Sequence, residues 1–172
     1  MIEGCKKGDV RSQYKLYDLY SKAMYNLAVR LVGNAIEAED IIQDAFTDCF
    51  AALKTFRYES TFGAWLKSIV VNRCINHLEK EKKLPLAFSG SLPEVSESVE
   101  PDEPEYDCRM ISMAIGKLPD GYRMVLTLYL LEGYDHEEIA GILGISESTS
   151  RSQYARAKKK LKELLKDGKR RR

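Results

Sequence analysis

Between residues 84 and 107 the chain carries four prolines (Pro85, Pro93, Pro101, Pro104) and seven carboxylates (Glu94, Glu97, Glu100, Asp102, Glu103, Glu105, Asp107), with no Lys or Arg among them. Proline removes a backbone donor and breaks helices, and a run of like charge with little apolar surface cannot support a core. The 172 residues are thereby divided, and each side must bury a core of its own. Three segments are expected: a first domain over 1–83, an acidic linker over 84–105 and a second domain over 106–172.

Both flanks show helical periodicity, with no sustained period-two alternation and no internal repeat, so the fold class is all-α, two small helical domains. The spacing predicts a helix over 10–32 with Leu16, Tyr20, Ala23, Met24, Leu27 and Leu31 on one face, closed by Gly33-Asn34. Asn34 can cap the next helix in a capping-box variant with Glu37. That helix runs to about Thr55 on a stripe of Ala38, Ile41, Ile42, Ala45, Phe46, Cys49 and Leu53. Ser60 or Thr61 caps a third, with Phe62, Trp65, Leu66, Ile69 and Val70 inward. Beyond the linker, Ile111, Ala114, Ile115 and Leu118 share a face, and Asp120 can cap a helix carrying Val125, Leu126 and Tyr129, which Gly133 ends.

Residues 135–161, DHEEIAGILGISESTSRSQYARAKKKL, read as a helix-turn-helix. Asp135 and Glu138 form a capping box, Ile139, Ala140 and Leu143 face inward, Gly144 turns the chain and Ser146 caps a second helix spanning 146–166. Tyr154, Ala157, Leu161 and Leu164 line its inner side. At about 100° per residue, Ser148, Ser152, Ala155, Arg156 and Lys159 fall opposite, with Arg151 on the flank. Small residues let a helix enter the major groove, and Arg reads guanine or grips phosphate. The plainer reading is a helical hairpin with a solvated lysine-rich face, but capping box, Gly turn and basic second helix occur together at the right offsets. Ser150 is discordant: its place calls for a buried Val or Ile, and a buried hydroxyl there would bond back to a helix carbonyl. From 146 to 172, eleven basic residues stand against three acidic ones, which suits a polyanionic partner.

Other classes find little support. There is no apolar run of about 18 residues, and the start, MIEGCKKGDVRSQ, lacks a secretory core, so a cytoplasmic protein without membrane contact of its own is expected. Cys5, Cys49, Cys74 and Cys108 stand apart from one another and from His77 and His136, so buried reduced thiols are expected rather than a metal site or disulfides. With no P-loop, G-x-S-x-G or H-E-x-x-H, neither enzyme activity nor a cofactor is expected.

Residues 118–161, LPDGYRMVLTLYLLEGYDHEEIAGILGISESTSRSQYARAKKKL, resemble the fourth domain of bacterial sigma factors. AEDIIQDAFTDCFAAL (38–53) and FRYESTFGAWLKSIVVN (56–72) resemble their second domain. Both blocks in this order with a short acidic linker are specific to the extracytoplasmic-function group. The resemblance implies a non-enzymatic subunit of RNA polymerase that directs promoter-specific initiation. It implies docking on the polymerase clamp helices through Asp40, Gln43, Asp44 and Thr47, which fall opposite the Ile41/Ala45/Cys49 stripe. It implies recognition of the −10 element by the loop Phe56, Arg57, Tyr58, Glu59 and by Lys67, Asn72, Arg73 and Asn76, since aromatic and Arg planes stack on flipped bases and Asn pairs with base edges. Phe56 also fits a core-sealing role, and Trp65 fits core better than a strand-opening wedge. The −35 element falls to Ser148, Thr149, Arg151, Ser152, Ala155, Arg156 and Lys159.

The remaining implied partners are promoter DNA, the flap region of core polymerase and an anti-sigma factor that clamps both domains. The linker is implied to thread the path later taken by the transcript, its charge resembling that of RNA, although a plain disordered spacer accounts for the same composition. The alternative is a helix-turn-helix transcriptional regulator that is not a polymerase subunit, such as a response-regulator output module. That alternative shares the C-terminal features, but 1–83 shows helices only, without the alternating strands of a receiver.

Overall fold

The computed structural model describes residues 1–81 and 107–170; the stretch expected as the acidic linker lies outside the described residues. The chain divides into two compact units, Met1–Lys82 and Lys83–Arg172. Among the described residues every regular element is helical.

Unit 1 contains α1 (Ile2–Lys6), α2 (Val10–Val32), α3 (Ala35–Ala52) ending in a 3-10 turn (Leu53–Thr55), and α4 (Phe62–Lys80). The Asp9 carboxylate caps α2 by accepting from the backbone N–H groups of Arg11 and Ser12. Gly33, at φ 76°, closes it in the left-handed region that favours glycine. Asn34 starts α3 at once, its Oδ1 accepting from Ile36 N at 2.9 Å while its Nδ2 donates to Glu37 Oε1 at 3.0 Å. So short a connection makes α2 and α3 antiparallel neighbours. Thr61, not Ser60, caps α4 through Ala64 N. Leu16, Leu27 and Leu31 of α2, Ala45 and Cys49 of α3, and Leu66, Val70 and Leu78 of α4 are all closed to solvent where these three helices pack on one another. Truncating one such leucine to alanine costs about 2–5 kcal/mol. Ala23, expected inside, is exposed, while Tyr20, Trp65 and Ile69 are half-buried.

Unit 2 contains α5 (Cys108–Gly116), α6 (Asp120–Leu126) continuing into a wider π turn (Thr127–Leu131), α7 (His136–Leu143) and α8 (Glu147–Arg170). Ile115, Leu118, Leu126 and Ala157 form a core against which Ile111, Tyr122, Leu161 and Leu164 pack. Asp120 does not cap α6: Pro119 holds that place and Asp120 begins the helix. Its carboxylate instead pairs with Arg123, one turn on. Arg123 is buried and also donates to Leu118 O at 2.9 Å, so its charge and donors are satisfied where a lone arginine would be costly. α8 runs four residues past the expected end, through Gly168, so the basic run begins as helix rather than as a tail.

Cys5, Cys49 and Cys74 are buried, and burial pushes the Cys49 and Cys74 thiols up to about 12. Cys108 departs from the expectation of buried thiols: it is exposed at the start of α5. No described helix is long and apolar enough to cross a membrane.

Candidate nucleic-acid interface

The helix-turn-helix of unit 2 forms as its residue types dictate. Asp135 and Glu138 complete a capping box at α7, with Glu138 N donating to Asp135 Oδ1 and Asp135 N to Glu138 Oε2, both at 2.8 Å. Gly144, at φ 63°, turns the chain and donates its N–H to Ala140 O. Ser146 caps α8, its Oγ accepting from Thr149 N at 3.1 Å. The hydroxyls of Ser148 and Thr149 gather on the same Oγ, at 2.9 and 2.8 Å. Ser152 donates to Ser148 O at 2.8 Å.

A helix start so furnished collects hydroxyls beside the positive end of its dipole, a setting that favours phosphate. Of the seven residues expected to meet DNA here, Ser148, Arg151 and Lys159 are exposed, while Thr149, Ser152, Ala155 and Arg156 are half-buried on the same helix. Arg151 is paired with Glu147 one turn earlier, so its guanidinium is oriented along the helix.

Inside the motif, Ser150 is fully buried, and its hydroxyl does not bond back to a helix carbonyl as expected. Its Oγ lies 2.9 Å from Nδ1 of His136, whose ring stacks on Tyr129 with centroids 4.5 Å apart. Burial above all, and then the Arg151 cation, lower the His136 pKa. Gln153 is also buried, with its Oε1 unpaired among the described residues. The pattern marked the place of Ser150 as buried but did not name His136 as its partner, and it gave no sign that Gln153 lies in the core.

On unit 1, Asp40, Gln43, Asp44 and Thr47 are all exposed and form a polar stripe along α3, opposite the buried Ile41, Ala45 and Cys49. Thr47 Oγ1 donates to Gln43 O at 2.9 Å, which holds its side chain along the helix. Beside the stripe a groove of about 410 Å³ opens between α2 and α3, lined by Tyr17, Lys22, Tyr25, Glu39 and Gln43 among others.

The loop before α4 is more differentiated than its sequence suggested. Phe56 is only 6% exposed, its ring held among Phe62, Trp65 and Tyr58 at 5.9, 5.0 and 4.7 Å. It therefore seals the bundle, one of the two roles its sequence left open. Arg57, Tyr58 and Glu59 are exposed. On α4, Asn72 and Asn76 are exposed one turn apart and share a face, whereas Lys67 lies about 140° of helix rotation from Asn72.

Arg73, also expected to meet a base, is half-buried and tied to α3. Its guanidinium is engaged by Asp48 and lies 3.6 Å from Asp44, so it braces α4 against α3. Two further contacts had no sequence signal. His77 Nε2 meets Glu37 Oε2 at 2.8 Å across α4 and α3. Tyr58 OH donates to Glu3 Oε1 at 2.5 Å, a hydrogen bond that holds the Glu3 carboxyl below its ordinary range and the phenol above its own. A five-residue helix interrupted by Gly4 shows no periodicity from which α1 could have been read.

Residues 16–84 match the family described as Sigma-70 region 2, and residues 108–161 match Sigma-70, region 4. The chain is 30% identical to the ECF RNA polymerase sigma factor SigW of Bacillus subtilis, over 96% of this chain and 95% of that one. It is 31% identical to the RNA polymerase sigma-H factor of Pseudomonas aeruginosa, over 96% and 92%. Among solved structures it resembles the sigma factor RpoE of Bartonella quintana, determined in complex with the anti-sigma factor NepR. The TM-score is 0.61 at 26% identity, covering 91% of this chain and 98% of that one. CnrH, solved with the cytosolic domain of CnrY, shares the fold at a TM-score of 0.56 and 22% identity, covering 96% and 95%.

A helix-turn-helix unit and a second helical unit bearing these two matched regions define a sigma-70-type transcription-initiation factor, not an enzyme. The chain belongs to the extracytoplasmic-function (ECF) sigma factors of RNA polymerase. A helix-turn-helix regulator outside the polymerase would leave the region 2 match unaccounted for.

Proposed function

We propose that this sigma factor divides promoter recognition between its units, with 1–83 docking on the polymerase clamp helices and capturing the −10 element, and 106–172 reading the −35 element. Docking falls to Asp40, Gln43, Asp44 and Thr47. Base capture falls to Arg57, Tyr58 and Glu59 in the loop and Asn72 and Asn76 on α4, with Lys67 at the flank for the phosphate backbone. The −35 element is assigned to the outer face of α8, where Arg151, Arg156 and Lys159 supply charge and Ser148, Thr149 and Ser152 supply hydroxyls.

One observation carries this reading. Arg73 bridges the polar stripe of α3 to α4, through Asp48 and beside Asp44, so a docking face and a base-capture face are held in fixed register on one bundle. A factor that places single-stranded DNA relative to a polymerase needs that rigidity.

The further assignments rest on the same family. Residues 84–105 connect the units as an acidic linker, unit 2 also meets the polymerase flap region, and the protein acts in the cytoplasm with core RNA polymerase and promoter DNA. An anti-sigma factor is the expected regulator, as NepR accompanies RpoE in the related structure. Mapping transcript starts after overexpression tests the reading: the new starts are expected to share two upstream motifs at fixed spacing, and starts without a common −10 motif would contradict it.

A further inference from the structure

The shortest helix of unit 1 makes contacts that neither docking nor base capture requires of it. α1 has five residues, too few to persist alone, yet two of its side chains reach the loop 50 and 55 residues on. Glu3 accepts from the Tyr58 hydroxyl. Lys6 Nζ donates to the backbone carbonyl of Phe56 at 3.2 Å and sits 4.4 Å from the centre of the Tyr58 ring, a cation–π distance. Lys6 also lies 3.4 Å from Glu3 Oε1, so cation, carboxylate and phenol close a triangle.

The residue at its apex is unusual. Tyr58, at φ 61°, is the one non-glycine among the described residues in the left-handed region. A tyrosine is disfavoured there and stays only when its surroundings over-determine it. The surroundings are α1 on one side and the buried Phe56 ring, 4.7 Å away, on the other. The outcome is a tyrosine 52% exposed on a backbone that is held.

We propose that α1 is a positioning element for promoter melting: Glu3 and Lys6 hold Tyr58 and the Phe56 carbonyl so that the loop is preset for an unstacked −10 base. This rests on the assignment of loop 56–59 to the −10 element. Glu3 and Lys6 act through Tyr58 and need not touch DNA. A loop already in its binding conformation avoids the ordering cost at capture. Released from α1, Tyr58 would relax toward negative φ and carry its ring off the capture surface. The loss would fall on base capture, leaving polymerase docking and −35 binding in place.

The test uses holoenzyme assembled from the full chain and core polymerase, with a fluorescent single-stranded oligonucleotide carrying the −10 element of a mapped start. Glu3→Ala and Lys6→Met are expected to weaken oligonucleotide binding by about fivefold, and Glu3→Gln, which keeps an acceptor for the phenol, to restore most of it. Affinity for core polymerase and for −35 duplex should stay at the wild-type value. Tyr58→Ala and Asn72→Ala serve as references. If the references weaken capture while Glu3→Ala and Lys6→Met do not, the positioning role is overturned and the loop assignment stands. If none of the four changes capture, the loop assignment fails and takes the positioning role with it. An equal loss of polymerase affinity in Glu3→Ala would make α1 a prop for the bundle and would also overturn the proposal.

Discussion

The hydroxyl of Ser150, in the first turn of α8, meets Nδ1 of His136, in the first turn of α7, at 2.9 Å inside the helix-turn-helix. At a place where an apolar side chain would serve, this chain uses a matched polar pair. Removing one member leaves the other buried and unpaired, at about 1–3 kcal/mol. Ser150→Ala is therefore expected to destabilise unit 2 in chemical denaturation. Adding His136→Phe, which keeps a ring on Tyr129, should recover part of the loss; a double variant no more stable than Ser150→Ala would contradict the pairing.

The same pair gives a pH dependence with a definite sign. Burial, then Arg151, lower the His136 pKa from 6.5, while Glu147 and Asp135 oppose them more weakly. The folded state then binds fewer protons than the unfolded one, so its contribution to stability is complete above the unfolded pKa. That contribution is lost as pH falls toward the depressed folded value. Amide protection factors in α7 and α8, corrected for the intrinsic pH dependence of exchange, should fall on acidification through that window, and His136→Phe should flatten the response.

Arg73 and Asp48 should behave as a structural pair. Both are partly exposed, at 34% and 42% of their side-chain surface, so solvent screens them and a double-mutant cycle should return a coupling of only about 0.5 kcal/mol. The more informative readout is −10 oligonucleotide binding. Asp48→Ala and Arg73→Ala should lower it alike if Arg73 is a brace, whereas a loss confined to Arg73→Ala would return that residue to the DNA-contacting set.

On α8, Arg151→Ala and Arg156→Ala should each weaken −35 duplex binding by about 1–3 kcal/mol if the side chain reads a base. Fluorescence anisotropy against a scrambled duplex separates the cases. A loss equal on both duplexes marks a phosphate contact, and no loss removes the residue from the interface.

The legible parts of this chain were those that local chemistry determines. The boundaries of α2, the Gly33 and Gly144 turns, the Asp135–Glu138 box and the Ser146 cap all follow from residue type and spacing. What spacing could not reach were pairings across elements: Arg73 with Asp48, His77 with Glu37, His136 with Ser150, and Glu3 and Lys6 with the loop. Each joins residues many positions apart, and a periodic pattern says only that such a residue faces outward or inward. Phe56 shows the limit in the other direction, since an aromatic in a loop suits both base stacking and core sealing, and only the packing of Phe62 and Trp65 against it decides.

The most direct measurement is the affinity of the purified chain for core RNA polymerase, compared between wild type and Asp40→Ala/Gln43→Ala. These two residues are exposed on α3 and contribute nothing to the core, so helicity should be unchanged. The account predicts tight binding by the wild type and a loss of at least about tenfold in the double variant, the equivalent of one or two interfacial hydrogen bonds. Equal affinity in the two proteins would contradict the placement of the docking face on α3.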